Sequence, residues 1–257
     1  MTKVYEIAKV IEKIAPVHLA EDFDNVGLLL GDAEAEVKKV LLCLDADEFT
    51  AKEAEEKGAD MIISHHPLIF HPLKSLEYSK SDARCMRTLI KSDIAVYSAH
   101  TNMDIADGGL NDLFCQKLSL KVMGDLEISS KEKACGRICE GNYTLSELVV
   151  KVKEAFGLTS VRYAGDDDKN VNKIAICSGS GRGLISDAIR EKADVYITGD
   201  LTYSDIRNLR DENCAYIEIE HFTSEIFVTE IFAEIIKNAF PDVEILVSEE
   251  KNIIKRI

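Results

Sequence analysis

Three features of the sequence predict an α/β fold with two similar α/β halves related by a pseudo-two-fold axis. Short runs rich in Val and Ile alternate with amphipathic stretches, which is typical of βα units and of mixed sheets covered by helices. The chain also matches itself when it is shifted by 134 residues, so that 28–67 lie over 162–201 without a gap. In both halves, histidines or carboxylates directly follow predicted strands.

The individual elements are predicted from hydrophobic periodicity. In 4–14 the apolar residues recur at helical spacing, whereas 39–45 (KVLLCLD) is a short apolar run of the length of a strand. The strand pattern recurs at 60–64, 94–99, 173–177, 194–198, 215–219 and 243–247. The helical pattern recurs at 49–57, 82–91, 109–119, 144–156, 183–191, 202–211 and 225–239.

The internal match indicates two homologous halves. It includes eight identical pairs among forty positions, and "KGADMIISHHP" lies over "EKADVYITGDL". Further along the chain, a shift of 121 places His100 and Asp104 over His221 and Glu225. Convergent βα patterning is the alternative explanation for these matches.

The domain boundary is predicted at a polar interruption near 124–135. This gives a first domain at 1–125 and a second domain at 126–257. The helix and strand within 225–257 can also pack with the first domain.

Charge and composition disfavour several kinds of partner. The formal net charge of −15 disfavours a nucleic-acid duplex and an anionic membrane, since both are bound by an excess of Lys and Arg. No run approaches the length of a membrane span, and the N-terminal stretch lacks the apolar core of an export signal. We therefore expect a cytoplasmic protein whose seven cysteines are reduced thiols.

The histidine doublet His65-His66 follows a predicted strand and favours a metal site. In an extended backbone, adjacent side chains point to opposite faces, so the two rings are not expected to bind one ion together. Each can serve a different ion of a close pair, on the order of 3.5–4 Å apart. The sequence therefore predicts a site for two divalent metal ions.

Two His-x-x-x-acid spacings supply the other candidate ligands, His100 with Asp104 and His221 with Glu225. Imidazole and carboxylate without a thiolate suit Zn, Fe or Mn. Glu225 is predicted in the first turn of a helix, where an anion is favoured, and is the candidate bridging ligand. Asp104 is a candidate terminal ligand. A hydrogen-bonded structural role is the alternative for any one histidine, but the doublet and both spacings together favour a metal site between the halves.

Two further features have two interpretations each. The 134-residue shift places Asp200 over His66, so Asp200 either orients a ligand imidazole from outside the metal's own ligands or caps the following helix. The stretch "CSGSGRG" (177–183) either binds a phosphate through its amides, with Arg182 as an added cation, or forms a plain tight turn. It does not match a dinucleotide or P-loop fingerprint.

Five motifs together resemble the NGG-one-interacting-factor-three-like family over nearly the whole chain. They are "DNVGLLLGD" (24–32), "SHHPLIFHPLK" (64–74), "AHTNMDIADGGLND" (99–112), "ITGDLTYSD" (197–205) and "EHFTSE" (220–225). Members of that family are described as dinuclear-metal-centre proteins or GTP cyclohydrolase I type 2 homologues. The resemblance implies a two-domain α/β protomer, a toroidal homohexamer and two divalent metal ions per chain.

The same resemblance implies a set of ligands. It assigns His65 and His221 to one metal, His66 and Asp104 to the other, and Glu225 between the two. His100 lies beside them and is expected to act catalytically, in proton transfer.

The predicted function is that of a metal-dependent hydrolase. Divalent metals at neutral pH activate water, and the excess of metal charge over two carboxylates suits a small anionic substrate that is nucleotide-like or phosphorylated. The narrower assignment as a GTP cyclohydrolase type 2 homologue depends on the family resemblance. The alternative is a metal-binding scaffold or metal-trafficking protein without turnover, because it needs the same ligands.

Overall fold

The computed structural model describes residues 1–126 and 135–255, and the chain forms two compact units. The first unit comprises Met1–Ala106 and the segment from Ile226 onward, and the second comprises Asp107–Glu225. The chain therefore passes from one unit to the other after Ala106 and after Glu225, and not at the expected boundary between 125 and 126. Of the polar interruption on which that boundary depended, residues 127–134 lie outside the described residues.

The elements of the described residues are as follows. The strands are β1 (Gly27–Leu30), β2 (Lys39–Cys43), β3 (Met61–Ser64), β4 (Ala95–Ser98), β5 (Val122–Asp125), β6 (Arg137–Thr144), β7 (Arg162–Ala164), β8 (Asn170–Ser180), β9 (Val195–Gly199), β10 (Ala215–Glu218) and β11 (Glu244–Val247). The α-helices are α1 (Val4–Ile14), α2 (Glu48–Lys57), α3 (Ser81–Lys91), α4 (Thr101–Ile105), α5 (Leu110–Lys117), α6 (Leu145–Ala155), α7 (Ile185–Arg190), α8 (Tyr203–Asp211), α9 (His221–Glu225) and α10 (Val228–Ala239). Short 3₁₀ helices span Val17–Leu19 and Gly181–Leu184.

The first unit contains a five-stranded sheet in the order β1-β4-β3-β2-β11. All neighbours in it run parallel except β1, which is antiparallel to β4. Parallel strands covered on both faces are continuous apolar runs, and Leu41, Ile62 and Val96 pack with Ala54 of α2 and Leu89 of α3. This register brings the carboxyl ends of β2, β3 and β4 to one edge of the sheet.

The second unit contains a six-stranded sheet in the order β5-β6-β8-β9-β10-β7. The central strands β8, β9 and β10 are parallel, while β5, β6 and β7 pair antiparallel with their neighbours. Its core includes Ala175 of β8, Tyr196 of β9 and Tyr216 of β10, packed against Ala188 of α7 and Leu209 of α8. The prediction of an α/β fold with mixed sheets and covering helices is confirmed.

The two sheets share a four-strand arrangement. The order β1-β4-β3-β2 in the first unit corresponds to β7-β10-β9-β8 in the second, with one antiparallel strand at the same end of each. Asp60 Oδ2 accepts hydrogen bonds from two consecutive amides at the start of β2, at 2.7 and 2.9 Å, and Asp194 Oδ2 accepts from two consecutive amides of β8, at 2.8 and 2.9 Å. These contacts are 134 residues apart, which agrees with the internal match. The pseudo-two-fold itself stays a prediction.

The match of His100 with His221 differs from the backbone register. The amide of Ala99 donates to the Ser64 carbonyl at 3.0 Å, and the amide of Ile219 donates to the Thr198 carbonyl at 3.2 Å. These corresponding contacts are 120 residues apart at the end of the fourth strand, whereas the sequence match needs 121. By backbone position, the histidine of the second unit therefore stands one residue beyond its expected counterpart.

All seven predicted strands are present, but β1, β5, β6 and β7 were not predicted. These four pair antiparallel and lie in or beside the sheet edges. Such strands bury less of their surface than central parallel strands, and of these four only β1 contains a continuous run of apolar residues. β5, for example, consists of four exposed residues.

Within the described residues, none of the helices has the length and apolar character needed to cross a bilayer. The expected cytoplasmic location stays a prediction.

The duplicated aspartates allow a test of what holds the strand starts. We expect Asp60→Ala and Asp194→Ala each to lower the free energy of unfolding by about 1–3 kcal/mol, because each removes a carboxylate that binds two amides. Replacement by Asn should cost less, since one oxygen acceptor remains. Urea unfolding measures the change, and Glu56→Ala on the exposed face of α2 is the control. Losses no larger than that of the control would contradict this role.

Candidate metal centre

The predicted site residues lie at or just beyond the carboxyl ends of parallel strands. In the first unit, the doublet His65-His66 follows β3, and His100 and Asp104 follow β4. In the second unit, Asp200 follows β9, while His221 and Glu225 form the two ends of α9 after β10. Each unit carries one cluster of these residues.

His65 and His66 converge, contrary to the alternation argument. β3 ends at Ser64, so the doublet lies in a bend where side chains no longer alternate between the faces of a strand. The two ring centroids are 5.3 Å apart. The ring of His100 lies 5.1 Å from that of His65, and each of the three rings offers a nitrogen within 4.8 Å of the others. The three imidazoles can therefore contribute to one metal-binding region.

Each ring of the first cluster is held through Nδ1. His65 is fully buried, and its Nδ1 donates to the Ala99 carbonyl at 2.9 Å. His66 Nδ1 donates to Asp45 Oδ1 at 2.7 Å. A carbonyl oxygen can only accept, so the proton of the neutral His65 ring is on Nδ1 and its metal-binding atom would be Nε2. That Nε2 lies 3.6 Å from Asp104 Oδ1, and the Asp104 side chain is buried.

His100 is held by a third aspartate, Asp24. Its Nδ1 donates to Asp24 Oδ1 at 2.9 Å, while Asp24 Oδ2 accepts from the amide and the hydroxyl of Thr101 at 3.0 and 2.5 Å. Burial raises the pKa of Asp24, but the hydrogen bonds from His100 and Thr101 outweigh it and hold that pKa well below its usual range. Asp24 therefore stays ionised at neutral pH and fixes one orientation of the His100 ring.

The second cluster combines His221, Glu225 and Asp200. His221 Nδ1 donates to Asp200 Oδ2 at 2.7 Å, and His221 Nε2 lies 2.9 Å from Glu225 Oε2. The i, i+4 spacing on α9 places the imidazole and the carboxylate on one face of the helix. Asp200 adopts a left-handed backbone with φ of 58°, an uncommon conformation for a residue with a side chain.

Asp200 does not cap the following helix, so that alternative is wrong. The N-cap of α8 is Thr202, whose side chain accepts from the amide of Asp205 in a reciprocal capping box. The Asp200 carboxylate instead binds the His221 ring. Its influence on a metal bound by that ring stays a prediction.

The expectation that Glu225 begins a helix is also wrong. The predicted helix 225–239 is divided into α9, which ends at Glu225, and α10, which begins at Val228. The favourable end of a helix dipole therefore does not explain the position of this carboxylate, which is only 3% exposed.

The absence of a side chain at Gly179 leaves room for the Glu225 carboxylate. A Cβ on Gly179 would overlap Glu225 Oε1 and would lie 3.3 Å from His221 Nε2. The Gly179 amide donates to Ser224 Oγ at 2.8 Å, and Ser224 Oγ donates to the His221 carbonyl at 2.8 Å. The glycine thus fixes α9 through its amide while leaving room for the carboxylate.

The glycine-rich stretch 177–183 forms the end of β8 and the start of the following 3₁₀ helix, and its amides support α9 and neighbouring segments. Besides Gly179, the amide of Ser178 donates to Asn111 Oδ1 at 2.9 Å and that of Gly181 to Thr198 Oγ1 at 2.9 Å. These amides are used within the protein. The phosphate-cradle interpretation gains no support from them, and Arg182 pairs with Asp205 at 3.1 Å.

The two clusters share the geometry of metal-binding histidines. Four imidazoles have Nδ1 bound to an oxygen acceptor, which fixes the ring and makes Nε2 the atom that could bind a metal. Nitrogen and carboxylate oxygen donors fit Zn, Fe or Mn. The residues present therefore fit a divalent metal.

Sequence reasoning missed two residues that hold these rings. Asp45 stands two residues after the end of β2, so the rule that selected the other strand ends would have found it. Asp24 lies in a segment without regular structure before β1, and it reaches His100 only in the folded chain.

Adding one methyl group at position 179 tests the role of Gly179. We expect Gly179→Ala to displace Glu225 and to lower the metal content of the purified protein, measured by elemental analysis. Its positive φ adds a backbone cost of about 1–2 kcal/mol. Gly157→Ala is the matched control, because Gly157 also has a positive φ but would have no atom within 4 Å of a new Cβ. Equal metal contents in the two variants would contradict the role assigned to Gly179.

Comparisons with known proteins agree with this fold. A curated relative from Clostridium perfringens, named GTP cyclohydrolase 1 type 2 homolog, is 40% identical over 253 residues, which cover 96% of this chain and 97% of the relative. The solved structure of a Bacillus cereus protein related to NIF3 has a TM-score of 0.88 at 23% identity and covers 100% of this chain and 99% of that one.

A further solved structure is that of reduced HcgD from Methanocaldococcus jannaschii. It has a TM-score of 0.85 at 30% identity and covers 97% of this chain and 98% of that one. The family model Duf34/NIF3 (NGG1p interacting factor 3) matches residues 2–253. The family prediction is thus confirmed, and the chain belongs to the Duf34/NIF3 family.

Proposed function

We propose that the protein is a metal-dependent hydrolase that holds two divalent ions and acts on a small nucleotide-like or phosphorylated molecule. The ligands would be His65, His66, Asp104, His221 and Glu225. The observation that carries the proposal is the Nδ1 hydrogen bond of each imidazole, since such a contact orients a ring for metal binding through Nε2. The division of these ligands between two ions follows the family resemblance.

The buried carboxylates support the same proposal. Asp104 and Glu225 are 7% and 3% exposed. Burial of a carboxylate is costly unless a cation or hydrogen bonds compensate its charge. Divalent ions held there would polarise a substrate oxygen and make water nucleophilic near neutral pH.

We assign proton transfer to His100. Its Nδ1 is committed to the ionised Asp24, so the proton would move at Nε2. The His100 side chain is partly exposed, at 19%, whereas His65 is fully buried, so His100 can reach a bound substrate more readily. A positioned imidazole of this kind contributes about 10²–10⁴-fold to rate.

The substrate class rests mainly on the names of the relatives. Two divalent ions bring a charge that exceeds that of the two ligand carboxylates, which favours an anion. Asp24, Asp45 and Asp200, which bind the rings, offset that excess. Charge balance by itself therefore does not select an anionic substrate, and the GTP cyclohydrolase type 2 assignment comes from the relatives.

Metal counting and turnover test the proposal together. We expect two divalent ions per chain after loading with Zn²⁺ or Mn²⁺, and turnover of at least one member of a panel of GTP and other nucleotides. His66→Ala should lose both an ion and turnover, whereas His100→Ala should keep two ions and lose about 10²–10⁴-fold in kcat. His18→Ala, at an exposed position, is the control.

Other outcomes of that experiment are equally informative. One ion or none in the loaded protein would contradict the dinuclear centre. Two readily exchangeable ions without turnover of any nucleotide would instead favour the metal-binding scaffold or metal-trafficking function.

We also propose that the chain assembles as a toroidal homohexamer, as the family resemblance implies. Light scattering at low micromolar concentration should then give about six times the chain mass of 28.6 kDa. A value near the mass of one chain would contradict this assembly.

A further inference from the structure

The C-terminal tail of the chain returns to the edge of the first sheet that carries the histidines. β11 lies parallel to β2, and the Ser248 amide extends that pairing by donating to the Leu42 carbonyl at 2.8 Å. Two residues later, Glu250 lies against the end of β2. Its Oε1 accepts from the Leu44 amide at 2.5 Å and its Oε2 from the Asp45 amide at 3.2 Å.

The two residues that Glu250 holds are the two that hold His66. The Leu44 carbonyl accepts from the His66 amide at 2.9 Å. The Asp45 carboxylate accepts from His66 Nδ1 at 2.7 Å. The backbone and the ring of His66 are therefore both fixed by a dipeptide whose own amides bind the Glu250 carboxylate.

Residues other than Glu250 also attach the tail to the first unit. Glu53 of α2 anchors the tail separately, because its Oε2 accepts from Ser248 Oγ at 2.5 Å and its Oε1 from the Glu249 amide at 3.0 Å. Lys57 joins Glu53 and Glu249 at 2.7 and 2.9 Å. With β11 already paired, the tail has several attachments besides the Glu250 side chain.

The position of the Glu250 side chain is also unfavourable for an ionised carboxylate. Burial raises its pKa to about 7, and the nearby Asp45 and Asp47 act in the same direction, against the hydrogen bonds from the two amides. Partial burial beside two other acids is energetically unfavourable for a carboxylate. A carboxylate is nevertheless suited to bind two consecutive amides at once, because each oxygen accepts one of them.

We propose that Glu250 is a positioning residue for the His66 half of the metal centre and acts through Leu44 and Asp45. The proposal rests on the proposed function, since it takes His66 to be a metal ligand. It links Glu250, shortly after β11, to a histidine that lies far earlier in the sequence.

Metal affinity in the full-length protein tests this role. The protein is stripped with a chelator, reloaded with Zn²⁺ and titrated with a competing chelator to give the affinity of each bound ion. We expect Glu250→Ala to weaken one of the two ions by about 10–100-fold and leave the other unchanged, as loss of an outer contact to a ligand does. Glu250→Gln, which keeps one acceptor oxygen, should have a smaller effect in the same direction.

Two reference variants separate the possible failures. Glu249→Gln changes the neighbouring acid, which contacts Lys57 instead of the end of β2, and should bind both ions as the wild type does. His66→Ala should lose the same ion that Glu250→Ala weakens. If His66→Ala still binds two ions with wild-type affinity, the proposed metal centre is wrong, and the positioning role falls with it.

The metal-free protein gives a second measurement. In nitrogen-edited NMR spectra, the Nδ1 proton of His66 should lose its protection from exchange in Glu250→Ala, while that of His221 keeps it. Wild-type affinity for both ions, with His66 still protected, would overturn the positioning role even if His66→Ala loses its ion. Equal weakening of both ions in Glu250→Ala and Glu250→Gln would assign Glu250 a general structural role and would also overturn the proposal.

Discussion

Parallel strand pairing is the constraint on which the site depends. Because β2, β3 and β4 run in the same direction, their carboxyl ends lie side by side at one edge of the first sheet. Each end contributes one kind of group: Asp45 after β2, the doublet His65-His66 after β3 and His100 after β4. Backbone bonds from the doublet to the end of β2 set the distance between neighbours, so that Asp45 reaches the His66 ring. The sheet therefore fixes the positions of these groups, which lie in the loops at the ends of its strands.

In the second sheet the candidate site residues also lie at the carboxyl ends of the parallel strands, but imidazole and carboxylate stand at exchanged positions. The 134-residue shift places Gly179 over Asp45 and Asp200 over His66. Where the first unit has an aspartate that holds an imidazole, the second therefore has a glycine that admits the buried carboxylate of Glu225. Where the first unit has an imidazole, the second has an aspartate that holds one. The left-handed backbone at Asp200 departs from the ordinary preference of a residue with a side chain, as backbones at functional sites often do.

Local patterning accounts for most of the fold. Helix 4–14 has the predicted bounds, because its apolar residues recur at helical spacing. The bounds of each predicted strand agree within two residues with an observed one, except that β8 extends three residues further at both ends than the predicted 173–177. Burial on both faces gives these parallel strands a continuous apolar run. The same reasoning could not find β7, which is three residues long, or β5, whose residues are exposed. Nor did it show that the chain leaves the first unit after Ala106 and returns at Ile226, because the first unit joins segments that are far apart in the sequence.

The sequence by itself determined the kinds of group in the candidate site and their positions at strand ends, because residue type and strand periodicity are local properties. Only the tertiary structure decided which group holds which. Asp24 is 76 residues from His100, and Glu250 is 205 residues from the Asp45 amide, so no local pattern links them. The convergence of His65 and His66 likewise depends on the bend after Ser64, where the alternation of an extended strand ends. Contacts of this kind form when the sheet brings distant segments to one edge.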